Sequence, residues 1–402
     1  MVDWGDWINL GLRWFHFVAG IAWIGSSFYF VWLDNHLKPP KDGGASGEVW
    51  SVHGGGFYHN QKYQVAPAQM PGDLHWFKWE AYFTWLSGFS LLVLIYYIGA
   101  DVFLIDPQKA RLSQSDAIAV GLASLLIGWA IYDALCRSPL RRDNRVLGSV
   151  WFGMLVLAAI ALDALFSARG AYLHVGAIIG TVMVGNVFFV IIPNQRKVVA
   201  DLVAGREPDP ALGQAAKMRS VHNNYMTLPV LFIMISHHYP MTYGAERPWL
   251  VLALLGATGI AVRHVFNLRH RDGDTRVTVA VAAGLALASV TYVSFEPVTV
   301  APGAASGPVI ATDALATVTY AQVAPVFAKH CISCHQPTPT NAAFSAPPLG
   351  VVLHTFESAS AAAPRIKKVA VDARTMPMVN DAEMTQADRN LIGAWIAQGT
   401  PR

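Results

Sequence analysis

"WFHFVAGIAWIGSSFYFVWLDN", residues 14–35, contains one histidine, His16, and no charged residue before Asp34. It belongs to an apolar run near 7–33, and a helix needs about 20 such residues to cross the hydrocarbon of a bilayer. The run therefore predicts a membrane span. The start of the chain, "MVDWGD", is acidic. Since a cleavable signal begins with a basic segment, we expect this first span to be retained.

The rest of the chain has the same character. Of its 402 residues, 53% are hydrophobic and only 14% are charged, whereas soluble domains carry about 25% charged residues. We predict an all-α fold, in which a polytopic transmembrane bundle of about eight spans occupies residues 1–297 and has the lipid bilayer as its partner. The other seven runs lie near 75–99, 116–136, 147–167, 172–192, 221–240, 248–267 and 277–296.

The loops between these runs differ in charge. One set (34–74, 137–146, 193–220 and 268–276) holds 15 Lys and Arg residues, and the opposite set (1–6, 100–115, 168–171 and 241–247) holds 4. The positive-inside rule places the richer set in the cytoplasm, so both termini are expected outside. The net charge is only +3 and no basic run is interleaved with aromatic residues, which argues against a nucleic-acid partner.

The C-terminal part has a different composition. Residues 298–318 are rich in Pro, Ala, Gly, Ser and Thr, which indicates a linker. Residues 319–402 are predicted to form a small all-α domain, in which "YAQVAPVFAKH" and "TQADRNLIGAWIAQG" are amphipathic helices. Thr385 is expected to cap the second helix, with Asp388 three residues later.

Two of the three cysteines lie in "VFAKHCISCHQPTP", residues 326–339. The sequence Cys331-x-x-Cys334-His335 is the attachment motif of one covalent c-type haem, with His335 as an iron ligand. The alternatives are a redox dithiol, which has no need of the histidine, and half of a zinc site, which lacks a second cysteine pair. In bacteria this haem is attached outside the cytoplasmic membrane, in agreement with the predicted position of the C-terminus.

The haem iron needs a ligand on its second face. "ARTMPMVNDAEM" offers three methionines, of which Met376 precedes a proline and is favoured over Met378 and Met384. A His/Met pair raises the reduction potential of a haem, which suits an electron acceptor. On the other face we expect "APPLG", residues 346–350, to wrap His335, with Pro347 as its backbone contact.

Ionisable side chains at membrane depth are costly and often functional. His16, His174, His222 and His264 lie deepest in the predicted spans. Together they suggest one or two b-type haems, whereas for each of them alone a hydrogen bond between helices is an equal alternative. Long loops such as the Gly-rich one over residues 53–80 often carry function. A re-entrant plug and a loosely ordered segment are equal alternatives for this loop.

Beyond these motifs, the chain resembles one family, the bacterial membrane urate oxidases (urate hydroxylases) with a C-terminal cytochrome c domain. The resemblance is carried by the stretch quoted first, by "CISCH" and "RTMP", and by three further blocks. These blocks are "HGGGFYHNQKYQ…P…LHWFKWEAYFTWLSG", "GNVFFVIIPNQRK" and "RSVHNNYMTLPVLFIMISHHYP".

The resemblance implies a multi-pass protein of the bacterial inner membrane that oxidises urate to 5-hydroxyisourate. Electrons would leave through the periplasmic cytochrome domain to a downstream cytochrome or terminal oxidase. The alternative is an electron-transfer subunit without substrate chemistry of its own, reduced by quinol or a dehydrogenase. Cations that would suit the weakly acidic purine are Lys78 with Glu80, Arg13, Arg219 and Arg263.

About 30 Å of hydrocarbon separates cytoplasmic urate from an outer haem. Either urate binds deep in the bundle from the outer side, or an intermediate electron carrier exists.

Overall fold

The computed structural model describes residues 4–41, 44–63, 67, 70–106, 109–271, 273–295, 317–341, 344, 347–372, 376–377 and 384–402. This part of the chain is mostly helical, as predicted. The predicted linker lies outside the described residues except for 317–318.

The helices of the N-terminal region are α1 (Trp4–His36), α2 (Trp79–Leu92), α3 (Ala100–Phe103), α4 (Gln114–Arg137), α5 (Asn144–Asp163), α6 (Ala168–Gly185), α7 (Ile192–Val203), α8 (Pro210–Ser236), α9 (Pro240–Tyr243), α10 (Pro248–Arg269) and α11 (Arg276–Ser294). Two π-helical segments interrupt regular helix. Val93–Tyr97 continues α2, and Asn186–Ile191 joins α6 to α7. A 3₁₀ turn, Pro139–Arg142, connects α4 to α5.

Six helical stretches of the described chain are long and apolar enough to cross a membrane. They are Trp7–His36, Gln114–Arg137, Asn144–Asp163, Ala168–Val203, Pro248–Arg269 and Arg276–Ser294. Each coincides with a predicted run. The prediction of eight spans is therefore supported for six of the eight runs.

The other two runs are helical but do not meet that standard. Helix α2 has only 14 residues before its π-helical continuation. Helix α8 has 27 residues, and its middle carries the buried polar side chains of Arg219, His222, Asn223 and Asn224. Since α8 packs against α6 and α10, these groups can be hydrogen-bonded inside the bundle rather than exposed to lipid.

Helix α6 lies at the centre of the bundle and packs against α2, α4, α5 and α8. Small residues allow this close approach. A Cβ added to Gly176 would lie 2.5 Å from Ile233 of α8, and one added to Gly128 of α4 would lie 2.6 Å from Ile178. Helix packing in membranes depends on such contacts, because lipid tails are as apolar as the side chains.

The loop after α1 contains a β-hairpin that the sequence analysis did not predict. Strands β1 (Gly47–His53) and β2 (Gly56–Lys62) pair in antiparallel register. Gly54 and Gly55 form the turn with positive φ angles of 59° and 81°, as a two-residue hairpin turn requires. The part of the Gly-rich loop that carries His59 is thus ordered.

The C-terminal region has a hydrophobic core of its own, which includes Val323, Phe327, Ile392 and Trp395. Its helices are α12 (Tyr320–His330), α13 (Phe356–Ala361), α14 (Ala363–Ile366) and α15 (Gln386–Ala397), with a 3₁₀ turn at Pro348–Gly350 and a π-helical segment at Lys367–Asp372. The two predicted helices are confirmed as α12 and α15. The cap of α15 is also confirmed, because Thr385 and Asp388 form a capping box.

Candidate functional site

The Cys-x-x-Cys-His motif lies where α12 ends. The amide of Cys331 still donates to the carbonyl of Phe327, and the amide of His335 donates to the carbonyl of Cys331, 2.9 Å away in both cases. These bonds hold residues 331–335 in a tight turn. Neither cysteine is in a disulfide, and both are half-buried. The turn thus presents two sulfurs and one imidazole from five consecutive residues.

His335 is held by a backbone carbonyl. Its Nδ1 lies 3.0 Å from the oxygen of Val351, and the amide of Leu353 donates to the carbonyl of His335. The contact predicted at Pro347 is wrong by four residues, because the chain makes its 3₁₀ turn at Pro348–Gly350 before it reaches the imidazole. Since Nδ1 donates to a carbonyl, the lone pair of Nε2 is left for a metal.

Met376 is half-buried and packs against the C-terminal core, as Cys331 does. Its amide donates to the carbonyl of Val369 at 3.0 Å, and its carbonyl accepts a hydrogen bond from Arg389 at 2.8 Å. The same guanidinium nitrogen of Arg389 also donates to the carbonyl of Ala370. The backbone on both sides of Met376 is therefore anchored. Met378 lies outside the described residues, and Met384 is buried in the core.

The alternatives to a haem at this motif are less compatible with the structure. Burial and the neighbouring Cys334 raise the pKa of the Cys331 thiol to about 12, whereas a redox dithiol depends on a lowered thiol pKa. For zinc, the described residues contain no group of three or more His, Cys, Asp or Glu side chains around one point. The thiols, the oriented imidazole and the anchored methionine together fit the requirements of a c-type haem.

Each deep histidine of the membrane region is hydrogen-bonded to another helix or, for His174, to the π-helical segment that continues α2. This confirms the hydrogen bonds between helices that were the alternative to haem binding. Three of the partners are tyrosine hydroxyls. Tyr97 lies 3.3 Å from Nε2 of His174, Tyr132 lies 2.8 Å from Nδ1 of His222, and Tyr225 lies 2.7 Å from Nδ1 of His264. Nδ1 of His16 lies 2.9 Å from the Thr84 carbonyl and 3.0 Å from the Ser87 hydroxyl.

These contacts decide whether the predicted b-type haems fit. His174 is fully buried, and its Nδ1 lies 2.9 Å from the Gly170 carbonyl, so both of its nitrogens are engaged. Gly20 packs against Thr84 of α2, and the His16 ring lies against Gly88. A b-type haem therefore does not fit at His174, whereas at His16, where only Nδ1 is engaged, it stays a prediction.

His222 is engaged at one ring nitrogen only. The hydroxyl of Tyr132 lies 2.8 Å from Nδ1 of His222 and accepts a hydrogen bond from Nδ2 of Asn186 at 3.1 Å. Nε2 of His222 is buried and has no hydrogen-bond partner among the described residues. For His222 and His264 the b-type haem therefore stays a prediction.

The π-helical segment that begins at Asn186 is part of a buried polar network. Oδ1 of Asn186 accepts from Arg219 at 3.1 Å, and Nδ2 donates to Asn223 at 2.8 Å. Arg219 also pairs with Asp133 at 2.6 Å. Such π-helical turns are frequent at functional sites. The other segment, Val93–Tyr97, supplies Tyr97 to His174.

A cavity of about 1560 Å³ is lined by residues of α5, α8, α10 and α11 and reaches the ends of α1 and α7. The polar side chains that α8 and α10 contribute to its wall include His222, Asn224, Tyr225, His264 and Asn267. Four exposed basic side chains, Lys62, Arg145, Lys217 and Arg271, mark its mouth, and all four belong to the segments that the positive-inside rule places in the cytoplasm.

Two of the proposed purine-binding cations lie away from this cavity lining. Arg13 is exposed and donates to Asn9, four residues earlier on α1, at 2.7 Å. Lys78 lies 5.2 Å from the centre of the Trp79 ring. Neither side chain is part of the cavity wall, so the structure does not favour them as ligands for an anion bound there.

The other two cations differ in how their charge is balanced. Arg219 is 3% exposed and is neutralised by Asp133. Arg263 is 5% exposed; it donates to Asn224 and lies 3.9 Å from the centre of the Phe28 ring. No carboxylate of the described residues pairs with Arg263. Within the part of the chain that the structure describes, Arg263 is therefore a buried charge without a carboxylate counter-ion.

Tyr97, Tyr132, Tyr225 and Asn267 were not predicted as site residues. Within the sequence a tyrosine in an apolar run is indistinguishable from an interface or core aromatic. A signal existed only for Asn267, which is a polar residue near the inner end of the run 248–267. The tyrosines could be found only once the helices were packed.

Comparison with known proteins gives one match. The family described as "Urate oxidase N-terminal" matches residues 3–294, which is most of the chain. No curated protein and no solved structure matches the chain. The matched residues cover the helical bundle and end before the Cys-x-x-Cys-His motif.

Proposed function

Because the chain belongs to the urate oxidase N-terminal family, we propose that it is a membrane urate oxidase that passes electrons to its own C-terminal c-type haem. The family indicates an oxidoreductase with a urate-related function, and the long apolar helices are consistent with a membrane protein. One observation supports the proposed transfer of electrons to a haem. The same chain joins this family region to a Cys-x-x-Cys-His turn, in which the imidazole of His335 is hydrogen-bonded to Val351, and to Met376, whose backbone is hydrogen-bonded to Arg389.

The proposed reaction balances without reduction of oxygen. Urate and one water give 5-hydroxyisourate, two protons and two electrons. A c-type haem, when bound, accepts one electron at a time. The water oxygen forms the new bond at C5 of the purine, and the two protons leave to side chains or solvent.

The C-terminal residues have separate tasks in this proposal. Cys331 and Cys334 would hold the porphyrin through thioether bonds, and His335 and Met376 would bind the iron. The carbonyl of Val351 orients the imidazole of His335. Arg389 fixes the backbone of Met376 by donating to its carbonyl. Such contacts to metal ligands set the ligand geometry and tune the metal.

We further propose that α2 and α8 also cross the bilayer, which makes eight crossings. The protein would then be a multi-pass protein of the bacterial inner membrane with the C-terminal domain in the periplasm. This topology is supported by the distribution of 15 and 4 basic residues between the two sets of loops. A downstream cytochrome or terminal oxidase would accept the electrons.

The test uses the purified full-length protein with its haem oxidised and oxygen excluded. Addition of urate is expected to produce the spectrum of reduced c-type haem, with consumption of urate and no hydrogen peroxide. The oxygen gained by the product is expected to come from labelled water. If urate leaves the haem oxidised while a quinol reduces it, the chain is an electron-transfer subunit instead.

A further inference from the structure

We propose that the inner half of the 1560 Å³ cavity binds an anionic planar heterocycle, with His222 and Asn267 as hydrogen-bonding contacts and Arg263 as the balancing charge. If the proposed function holds, this ligand is urate. The inference concerns where the ligand binds and from which side it enters. It can be tested separately from the oxidation.

The first contact is an imidazole nitrogen without a partner. His222 lines the cavity and is 8% exposed. Its Nε2 has no hydrogen-bond partner among the described residues. Tyr132 engages the other ring nitrogen, Nδ1, at 2.8 Å. A buried polar atom left unsatisfied costs about 1–3 kcal/mol, which a hydrogen-bonding group of a ligand would recover.

The second contact is an acceptor without a partner. Asn267 also lines the cavity, and its Oδ1 is buried and has no partner among the described residues. A planar heterocycle that alternates ring N–H groups and carbonyl oxygens offers both kinds of group. It could hydrogen-bond to His222 and donate to Asn267.

The two contacts lie at the same depth. Helices α8 and α10 are antiparallel. Gly259 of α10 packs against Leu228 and Pro229 of α8. Four residues further along α10, Arg263 donates to Asn224, which lies four residues before Leu228 on α8. From the Asn224–Arg263 pair, His222 lies two residues nearer the inner end of α8 and Asn267 lies four residues nearer the inner end of α10, so the two side chains are within about one helical turn of each other in depth.

Arg263 supplies charge beside these contacts. It is bound to Asn224, whose side chain lines the cavity, and it has no carboxylate partner among the described residues. An uncompensated buried cation is strongly unfavourable. An anion in the adjacent cavity provides the missing compensation. Arg263 therefore acts as a positioning residue through Asn224 and through its field.

The mouth of the cavity favours entry of anions. Arg145, Lys217 and Arg271 line it, and the carboxylate there, Asp34, is already paired with Lys62 at 2.6 Å. A basic rim over a low-dielectric cleft raises the local concentration of anions. Under the positive-inside orientation this mouth faces the cytoplasm, so the ligand enters from the inner side.

This position has a consequence for electron transfer. From His222 to the outer end of α8 at Ser236, the helix rises by about 21 Å at 1.5 Å per residue. Electrons leaving this site toward an outer haem therefore need an intermediate carrier, the second of the two alternatives raised by the sequence. For the same reason the test measures binding directly instead of haem reduction.

The experiment measures binding of radiolabelled urate to the full-length holoprotein in lipid nanodiscs, with the haem chemically reduced beforehand so that urate cannot be oxidised. Arg263→Gln is expected to raise the Kd about 10- to 100-fold, and His222→Phe about 5- to 10-fold. Arg263→Lys keeps the charge and should stay within about threefold of the wild type. Asn267→Asp opposes the anion and should weaken binding at least as much as His222→Phe.

The matched control is Arg276→Gln. Arg276 is also predicted to lie on the cytoplasmic side of the membrane, and its side chain is 91% exposed. The Kd of this variant is expected to equal that of the wild type. Variants are compared only at equal haem content and equal thermal midpoint, and Asn267→Asp serves if Arg263→Gln does not fold. Unchanged binding in folded Arg263→Gln, His222→Phe and Asn267→Asp overturns the inference.

Sidedness gives a second criterion. Inverted membrane vesicles should bind urate rapidly and intact spheroplasts should not, whereas binding from the spheroplast side alone contradicts the inference. If the variants behave as expected but urate never reduces the oxidised wild-type haem, the binding site stands and the proposed function fails. If urate reduces the haem and the variants bind normally, only this inference fails.

Discussion

The packing between α4 and α6 predicts that Gly121→Ala destabilises the bundle. A Cβ at this position would lie 2.7 Å from Nε2 of His174 and 2.7 Å from the hydroxyl of Tyr97. Ordinary contacts of a Cβ begin near 3.4 Å, so each of the two side chains must move about 0.7 Å away from the added Cβ. Overpacking of this kind costs about 1–3 kcal/mol. Loss of the buried Tyr–His hydrogen bond adds about 1 kcal/mol.

The net effect includes a gain, because alanine favours a helix over glycine by up to about 1 kcal/mol. We therefore expect Gly121→Ala to destabilise by about 1–3 kcal/mol, or to lower the thermal midpoint by about 2–10 °C. Tryptophan fluorescence in detergent measures this midpoint. Gly153→Ala on α5 is the control, since nothing lies within 4 Å of its added Cβ.

The double variant Tyr97→Phe/Gly121→Ala removes one of the two clashing atoms and should regain part of the loss. A midpoint for Gly121→Ala that is equal to that of Gly153→Ala would refute the reasoning. The reasoning would also be refuted if the double variant lost more stability than the sum of the losses in the two single variants.

Three further predictions concern other sites. Arg389→Met removes the donor to the backbone carbonyls of Ala370 and Met376, and should destabilise the C-terminal domain by about 2–4 kcal/mol in a urea titration. Cys331→Ser should abolish the covalent haem stain on a denaturing gel, whereas Cys136→Ala should retain it; a stained Cys331→Ser band at full intensity would contradict the attachment site. Asp133→Asn leaves the buried Arg219 without its carboxylate, which should destabilise the protein by about 3–5 kcal/mol and lower the yield of folded protein. Adding Arg219→Met should restore that yield.

Several features could be predicted because their signals are local. Six apolar runs become helices fit to span a membrane, since about 20 apolar residues allow little else. The cap of α15 follows from Thr385 and Asp388, which meet within one turn. The hairpin also had a local signal, Gly54–Gly55 between Val and Phe residues, although the length of the loop concealed it.

The histidines show where prediction from sequence ends. His174 lies in the apolar stretch "YLHVGAI" and His222 is followed by two asparagines, and both were expected to be possible haem ligands. Their actual partners, Tyr97 and Tyr132, are 77 and 90 residues away. Which nitrogen is engaged determines whether a metal can bind, and no pattern within a single helix contains that information.

By itself, the sequence determined the helical class, the apolar runs and the Cys-x-x-Cys-His turn, because each depends on residues that are neighbours in the chain. Only the tertiary structure decided that, among the described residues, Arg263 is buried without a carboxylate partner and Nε2 of His222 has no hydrogen-bond partner. It also decided that His222 and Asn224, the partner of Arg263, line one cavity together with exposed basic side chains. The reason is physical: charge balance and hydrogen-bond satisfaction are properties of a packed environment, to which α1, α4, α8 and α10 each contribute a part.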